Sequence, residues 1–368
     1  MMGKEQVESI LAKLALDLFS ETDLKILRLT QLPIVSQEDV DSALVENGLT
    51  NPSSASFTIA YNFATIHPEI SFPEEVKPLL AKVGIRCRDR HMKLLSHFSK
   101  INSALNERGV SFIVIKGGAM KSYRPEWTRW MSDVDILIPG DDFREALDAV
   151  RGLGYIIGET HHSAGLRDPK TGQNVLDIHR FIPMGTGKEK LFNDILAKRA
   201  ITLPFSSLSV KVPSPEDMVF ISLVNFWKNV TYKTSERSVA NLCFDLKFLK
   251  EREGGLNWDT IRSNALTTES VETVYLASRL LEEVVPGFFP NGFLEEETDL
   301  KKAETLLAQT LHTRNVLCPL QDEIGEFNII KALKEGKPFF KYVFLRAKYF
   351  FLKRFPGRAQ KYSPSDPI

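Results

Sequence analysis

This chain has no excess of charge of either sign. Its 368 residues carry 47 Lys or Arg against 47 Asp or Glu, a formal net charge of zero. A domain that coats DNA or RNA carries a clear basic excess, so the total argues against a nucleic-acid partner. Cysteine is scarce. Cys87, Cys243 and Cys318 are odd in number, widely spaced and without a CxxC pair. That pattern excludes a disulfide framework and a structural zinc site, and thiols in a reducing cytoplasm are the plain reading. Apolar runs are short, none near the ~18 residues a membrane helix needs. Met1-Met2-Gly3-Lys4-Glu5 leads into an amphipathic stretch rather than the apolar core of a signal peptide. Val7 stands where a myristoylation site read from Met2 requires Ser or Thr. The chain also lacks internal repeats and low-complexity tracts.

What is present is an ordinary globular composition, 43% hydrophobic and 26% charged, long enough for two or three domains. Val7, Ile10, Leu11, Leu14 and Leu18 mark one buried helix face. Leu94, Leu95, Phe98, Ile101 and Leu105 form the core stripe of a longer helix expected from about Glu75 to Arg108, with Gly109 as its cap. The period then shortens. Val110–Ile115 and Asp133–Ile138 read as strands, and Asp141 or Asp142 caps a helix through Val150. Tyr155–Ile157 is a third strand. Asn174–Phe181 is a fourth, returning from the turn Asp168-Pro169-Lys170-Thr171-Gly172. From Ser214-Pro215-Glu216-Asp217 the chain is helical again. The expectation is an α+β protein with a helical region over 1–104 and a core with a small mixed sheet over 105–212. A helical domain over 213–336 and a tail over 337–368 follow.

Two segments carry the chemistry: Ile115-Lys116-Gly117-Gly118 and Ser132-Asp133-Val134-Asp135-Ile136. Side chains alternate along a strand, so Asp133 and Asp135 share a face and repel unless a cation stands between them. Hard oxygen ligands select magnesium or manganese over zinc. Gly117 and Gly118, at a strand-to-helix turn, let backbone amides approach a phosphate, and Lys116 adds a charge to the same anion. Metal carboxylates beside a phosphate cradle point to nucleoside triphosphate chemistry. Asp177, on Val175-Leu176-Asp177-Ile178-His179, is the best third carboxylate, with Asp168 as the fallback.

These residues resemble the signature of the DNA polymerase β-type nucleotidyltransferase superfamily. More narrowly, Ile-Lys-Gly-Gly, Arg129, Ser132–Ile138 and Asp177-Ile178-His179 are similar to the bacterial "uncharacterised nucleotidyltransferase" family, over roughly residues 105–250. The resemblance implies a polymerase-β-like core with two magnesium (or manganese) ions held by Asp133, Asp135 and Asp177. It assigns the NTP to Lys116, Gly117, Gly118, Arg129 and Ser132, with His179 and Asp245 as supporting residues. An acceptor would attack the α-phosphate in line and release pyrophosphate. The charge balance favours a small molecule, sugar or peptide as acceptor. Departures are the fourteen residues between Gly118 and Asp133, Gly118 where Ser is commoner, and Asn225 where a His is expected. A catalytically silent protein of the same fold and a toxin-like enzyme that nucleotidylates RNA or protein are the alternatives.

Lys337–Lys361 holds eight Lys or Arg, no Asp or Glu, and many aromatic residues. A docked helix is the first reading, peripheral contact with an anionic membrane the second and a nucleic-acid stacking surface the third. His161 and His162 read as ordinary strand or loop residues.

Overall fold

The computed structural model describes residues 4–18, 36–44, 60–65, 70–125 (73 and 75 apart), 130–232, 236–251 and 255–314. The chain divides into two compact units, Met1–Thr310 and Leu311–Ile368. The first is described below. The turns expected at Ser20–Asp23 and Asn51–Ser54, and the basic aromatic tail, lie outside the described residues.

Two helices, α1 (Lys4–Leu18) and α2 (Gln37–Leu44), precede the long helix α3 (Lys77–Glu107). Leu94, Phe98, Ile101 and Leu105 of α3 are buried, as their spacing predicts. Gly109 follows with φ +68°, and its N–H and that of Val110 close the helix end. Next come β1 (Ile113–Ile115), α4 (Lys116–Tyr123), β2 (Val134–Leu137) and α5 (Phe143–Arg151). Three strands follow: β3 (Ile156–Glu159), β4 (Ser163–Arg167) and β5 (Asn174–His179). They form one sheet in the order β1-β2-β5-β4-β3, parallel only between β2 and β5. The sheet is therefore mixed. Val134, Ile136, Leu176 and Ile178 are fully buried in its core, and the residues between them point to the other face.

The second half begins with α6 (Glu189–Arg199) and the hairpin β6 (Ile201–Phe205) and β7 (Leu208–Val212). Helices α7 (Pro215–Tyr232), α8 (Glu236–Glu251), α9 (Trp258–Thr267) and α10 (Val271–Val284) complete the described elements. Helix α7 is central, packing on α8, α9, α10 and α4. A buried network fixes its start: Arg199 pairs with Asp217, and Asn264 donates to the same carboxylate at 2.9 Å. No described helix is long and apolar enough to cross a membrane.

Local readings differ in five places. The sheet has five strands rather than four, because Ser163-Ala164-Gly165-Leu166-Arg167 holds one large apolar residue and hides its alternation. The β6–β7 hairpin, turning through Ser206 at φ +58°, was not expected. Asp142 precedes α5 without a side-chain cap hydrogen bond. Asp133 lies in the bend before β2, and the glycine pair falls inside the first turn of α4 rather than ahead of it. The last difference has a steric cause. A Cβ on Gly118 would stand 2.6 Å from Val114 and 3.3 Å from Val134, so only glycine lets α4 lie this close to β1 and β2.

Candidate active site

The parallel register of β2 and β5 sets Asp135 opposite Asp177, and His179 follows Asp177 by two residues on the same face. The three side chains converge. His179 Nε2 lies 2.9 Å from Asp135 Oδ1 and 3.2 Å from Asp177 Oδ2. Together they are a group able to hold a metal ion.

Lys116 reaches the same point from the first residue of α4. Its Nζ stands 2.6 Å from Asp135 Oδ1 and 3.2 Å from His179 Nε2. Burial alone would raise the Asp135 carboxyl, but the Lys116 ammonium and the His179 hydrogen bond outweigh it. They hold Asp135 well below the usual carboxylate range. Burial works against the charge of Lys116, and the Asp135 carboxylate overrides it, so the ammonium titrates above its ordinary value. Asp133 is the counter-case. Burial and the neighbouring charge of Asp135 push it up to about 6, against a hydrogen bond from Ser132 Oγ at 2.8 Å.

Two further basic groups face the cluster. Lys228, the one base of α7, titrates below the ordinary lysine value because it is partly buried and beside the charge of Lys116, although Asp177 and Asp135 pull the other way. The His162 ring centroid lies 6.1 Å from that of His179, and burial followed by the charge of Lys228 brings it down to about 4. It is neutral at pH 7. On the other side, Arg90 of α3 ties together the starts of both strands. It donates to Gln173 Oε1 at 2.8 Å and, more closely, to the carbonyls of Ser132 and Asn174. A cavity of about 380 Å³ opens beside it, lined by Trp130, Ser132, Arg167, Gln173 and Asn174.

A divalent ion fits the donor set. Asp177 Oδ1 is buried and has no hydrogen-bond partner, which is costly unless a cation or another group completes it. Carboxylates dominate the donors, as magnesium and manganese require.

The structure thus brings together Lys116, Asp135, Asp177 and His179 of the residues expected from sequence, whereas Asp133, beside Asp135, is not among the metal-capable group. Gly117 and Gly118 are buried in the turn that carries Lys116. Ser132 is exposed and tied to Asp133. Asp245 is buried on α8, beside Cys243, and is not among the metal-capable group; burial and then Asp245 push that thiol up to about 12. Asp168 sits in the exposed β4–β5 turn, bonded to Lys170 N and Thr171 Oγ1. Arg129 lies outside the described residues. Lys228, Arg90 and His162 were missed. Lys228 carried a signal, being a lone cation in an apolar helix one turn beyond Asn225. Arg90 carried none, since it lies more than forty residues from what it holds.

A mixed sheet, a helix that opens on Lys116-Gly117-Gly118 and an acidic cluster together make up the candidate site. The family model described as "Uncharacterised nucleotidyltransferase" matches residues 56–286, and the chain belongs to that family. No curated protein matches it. Among solved structures it is similar to the antibiotic-resistance factor ANT(2'')-Ia, with 15% identity, TM-score 0.35, 51% of this chain and 95% of the other covered. It is also similar to an antigenic nucleotidyltransferase-like protein from Paracoccidioides brasiliensis, with 15% identity, TM-score 0.32, and 51% and 92% covered. A third is a candidate nucleotidyltransferase from H. pylori, with 17% identity, TM-score 0.28, and 62% and 96% covered.

Proposed function

We propose that the protein is a divalent-metal-dependent nucleotidyltransferase that moves an NMP from an NTP to a small-molecule, sugar or peptide acceptor. One observation carries this reading above the others. Asp135 and Asp177 are paired across two parallel strands, an Asp177 oxygen is left without a partner, and the glycine helix begins beside them.

In this reading Asp133, Asp135 and Asp177 hold magnesium or manganese, which supplies charge stabilisation to the transferring phosphoryl group. The first turn of α4, with Gly117 and Gly118, offers backbone N–H groups to the phosphates, and Lys116, Ser132 and Arg129 support them. Lys228 faces the polyphosphate from α7. His179 orients the two carboxylates, and Asp245 supports α8 behind them. The acceptor enters beside Ser132, where the cavity is. Its oxygen or nitrogen bonds to the α-phosphorus, the bond to the bridging oxygen breaks, and pyrophosphate leaves. Asp177 takes the acceptor's proton. The buried thiols of Cys87 and Cys243 fit a cytoplasmic setting.

The test is pyrophosphate release from each common NTP in the presence of pooled sugars, amines and peptides. Release is expected to need magnesium or manganese and to vanish in Asp135→Asn. Release that survives either EDTA or that substitution refutes the proposal. Labelling of tRNA instead would move the acceptor to RNA.

A further inference from the structure

The segments that follow β2 and β5 and the starts of α5 and α6 border a second cavity, of about 350 Å³. None of Lys116, Asp133, Asp135, Asp177 and His179 lines it. Three cations do, Arg144, Arg180 and Lys190, against the one carboxylate of Asp141. Arg180 is the fixed one. Its guanidinium lies over the Phe143 ring, 4.5 Å from the ring centre, and no described carboxylate pairs with it. A guanidinium stacked in this way presents its N–H fork edge-on, the geometry that binds phosphate. The other two cations are loosely engaged. Lys190 meets Asp141 at 3.0 Å and Arg144 meets Glu159 at 3.6 Å, both on the surface. Exposed pairs contribute little, so both cations can turn to a bound anion.

The helices add to the same field. Arg144 and Lys190 each occupy the second position of their helix, and Asp142 and Lys188, which precede the helices, make no side-chain cap hydrogen bond. Two helix starts without side-chain caps therefore border one basic cavity. Asn193 is an independent sign. It lines the cavity and is 3% exposed. Its Nδ2 donates to the Arg180 carbonyl at 2.8 Å, which fixes the amide, while Oδ1 has no partner. A buried acceptor left over in a cavity wall calls for a donor from an occupant.

We propose that this cavity is a second binding site, for a small phosphate monoester. Its phosphate takes Arg180, Lys190 and Arg144, and a hydroxyl of the attached body donates to Asn193 Oδ1. Three cations against one acid leave a surplus of two, which a phosphate monoester of about −1.5 to −2 matches better than a carboxylate. The volume is at the small end of the ~300–1,000 Å³ of ligand pockets, which favours an ester of sugar size. The site goes beyond the proposed nucleotidyl transfer, and neither reading needs the other.

The experiment is titration calorimetry of the full chain in EDTA with inorganic phosphate, glucose 6-phosphate and glucose. The wild-type chain is expected to bind both phosphates and not free glucose. Arg180→Gln is expected to lose about tenfold in affinity for the ester. Lys190→Gln, at an exposed position, is expected to weaken binding with no change in circular dichroism. Lys228→Met, in the catalytic cleft, is expected to bind the ester as the wild-type chain does. Should Arg180→Gln fail to fold, Lys190→Gln carries the test alone. No binding of the ester, even where inorganic phosphate binds, overturns the proposal. So does free glucose binding as tightly as its phosphate. Ester binding that survives in Lys190→Gln and is lost in Lys228→Met places the anion in the catalytic cleft and overturns it as well.

Discussion

Asp135 and Asp177 are direct partners across the only parallel strand pair of the described sheet. In an antiparallel pair a one-residue slip would send every side chain to the other face, and the same is true here. The buried flanks Val134, Ile136, Leu176 and Ile178 prevent that slip, so apolar packing on one face sets the carboxylate spacing on the other. Core and site are two sides of the same strands.

The closest approach in this arrangement is at Gly118. Gly118→Ala would drive a Cβ to 2.6 Å from a Val114 methyl, and either α4 or β1 must move. Overpacking of this kind costs about 1–3 kcal/mol. Urea unfolding is expected to show that loss.

Arg90 holds the entrances of β2 and β5 through three acceptors, two of them carbonyls. Arg90→Ala leaves those carbonyls without their charged donor, a loss of about 1–3 kcal/mol. The expected result is lower stability together with weaker Mn²⁺ binding, whereas a purely peripheral residue would change neither. Calorimetry on the variant reads both.

Lys228 is a test of the helical side of the cleft. The proposed function sets it against the polyphosphate rather than the ion, on the side of Lys116, Asp135 and Asp177. Lys228→Met is expected to weaken NTP binding about tenfold, roughly 1.4 kcal/mol. Mn²⁺ binding without nucleotide is expected to stay unchanged. Loss of the ion itself in this variant would place Lys228 in the wrong role.

His91 lies outside the site and gives the fold a pH dependence of its own. It stacks edge-on to Phe205 at 6.2 Å, has an unpartnered Nδ1, and is brought down to about 4 by burial and then by the charge of Lys121. The unfolded chain, with an ordinary histidine, binds the proton more readily. The contribution is therefore fully present above about pH 6.5 and is lost as pH falls toward 4. Allowing for partial exposure, it amounts to about 1–2 kcal/mol. Urea unfolding at pH 7 and pH 5 is expected to show a smaller difference in His91→Leu than in the wild-type chain.

Much of this was legible in the sequence, for physical reasons that also mark where legibility stopped. Strand alternation in Val134–Ile138 and Val175–His179 announced both the core face and the acidic face. Helical spacing announced α3 and α7 in the same way. Strand β4 stayed hidden because Ser163, Ala164 and Gly165 bury too little apolar surface to leave a pattern. His162 looked ordinary because its place beside His179 follows from the register Ser163↔His179, which exists only once β4 is paired with β5. Lys116 was read as a phosphate contact from its place beside two glycines. Its bond to Asp135 depends on a left-handed backbone angle that no spacing rule predicts.

The central claim is that the Asp135–Asp177 pair makes NTP binding depend on a divalent ion. Titration calorimetry with non-hydrolysable NTP analogues, with and without Mn²⁺, tests it most directly. The wild-type chain is expected to bind an analogue at micromolar concentration only with Mn²⁺, and Asp135→Asn to lose at least about tenfold in affinity while keeping a native circular dichroism spectrum. Equal binding without the ion, or unchanged binding in Asp135→Asn, contradicts the account.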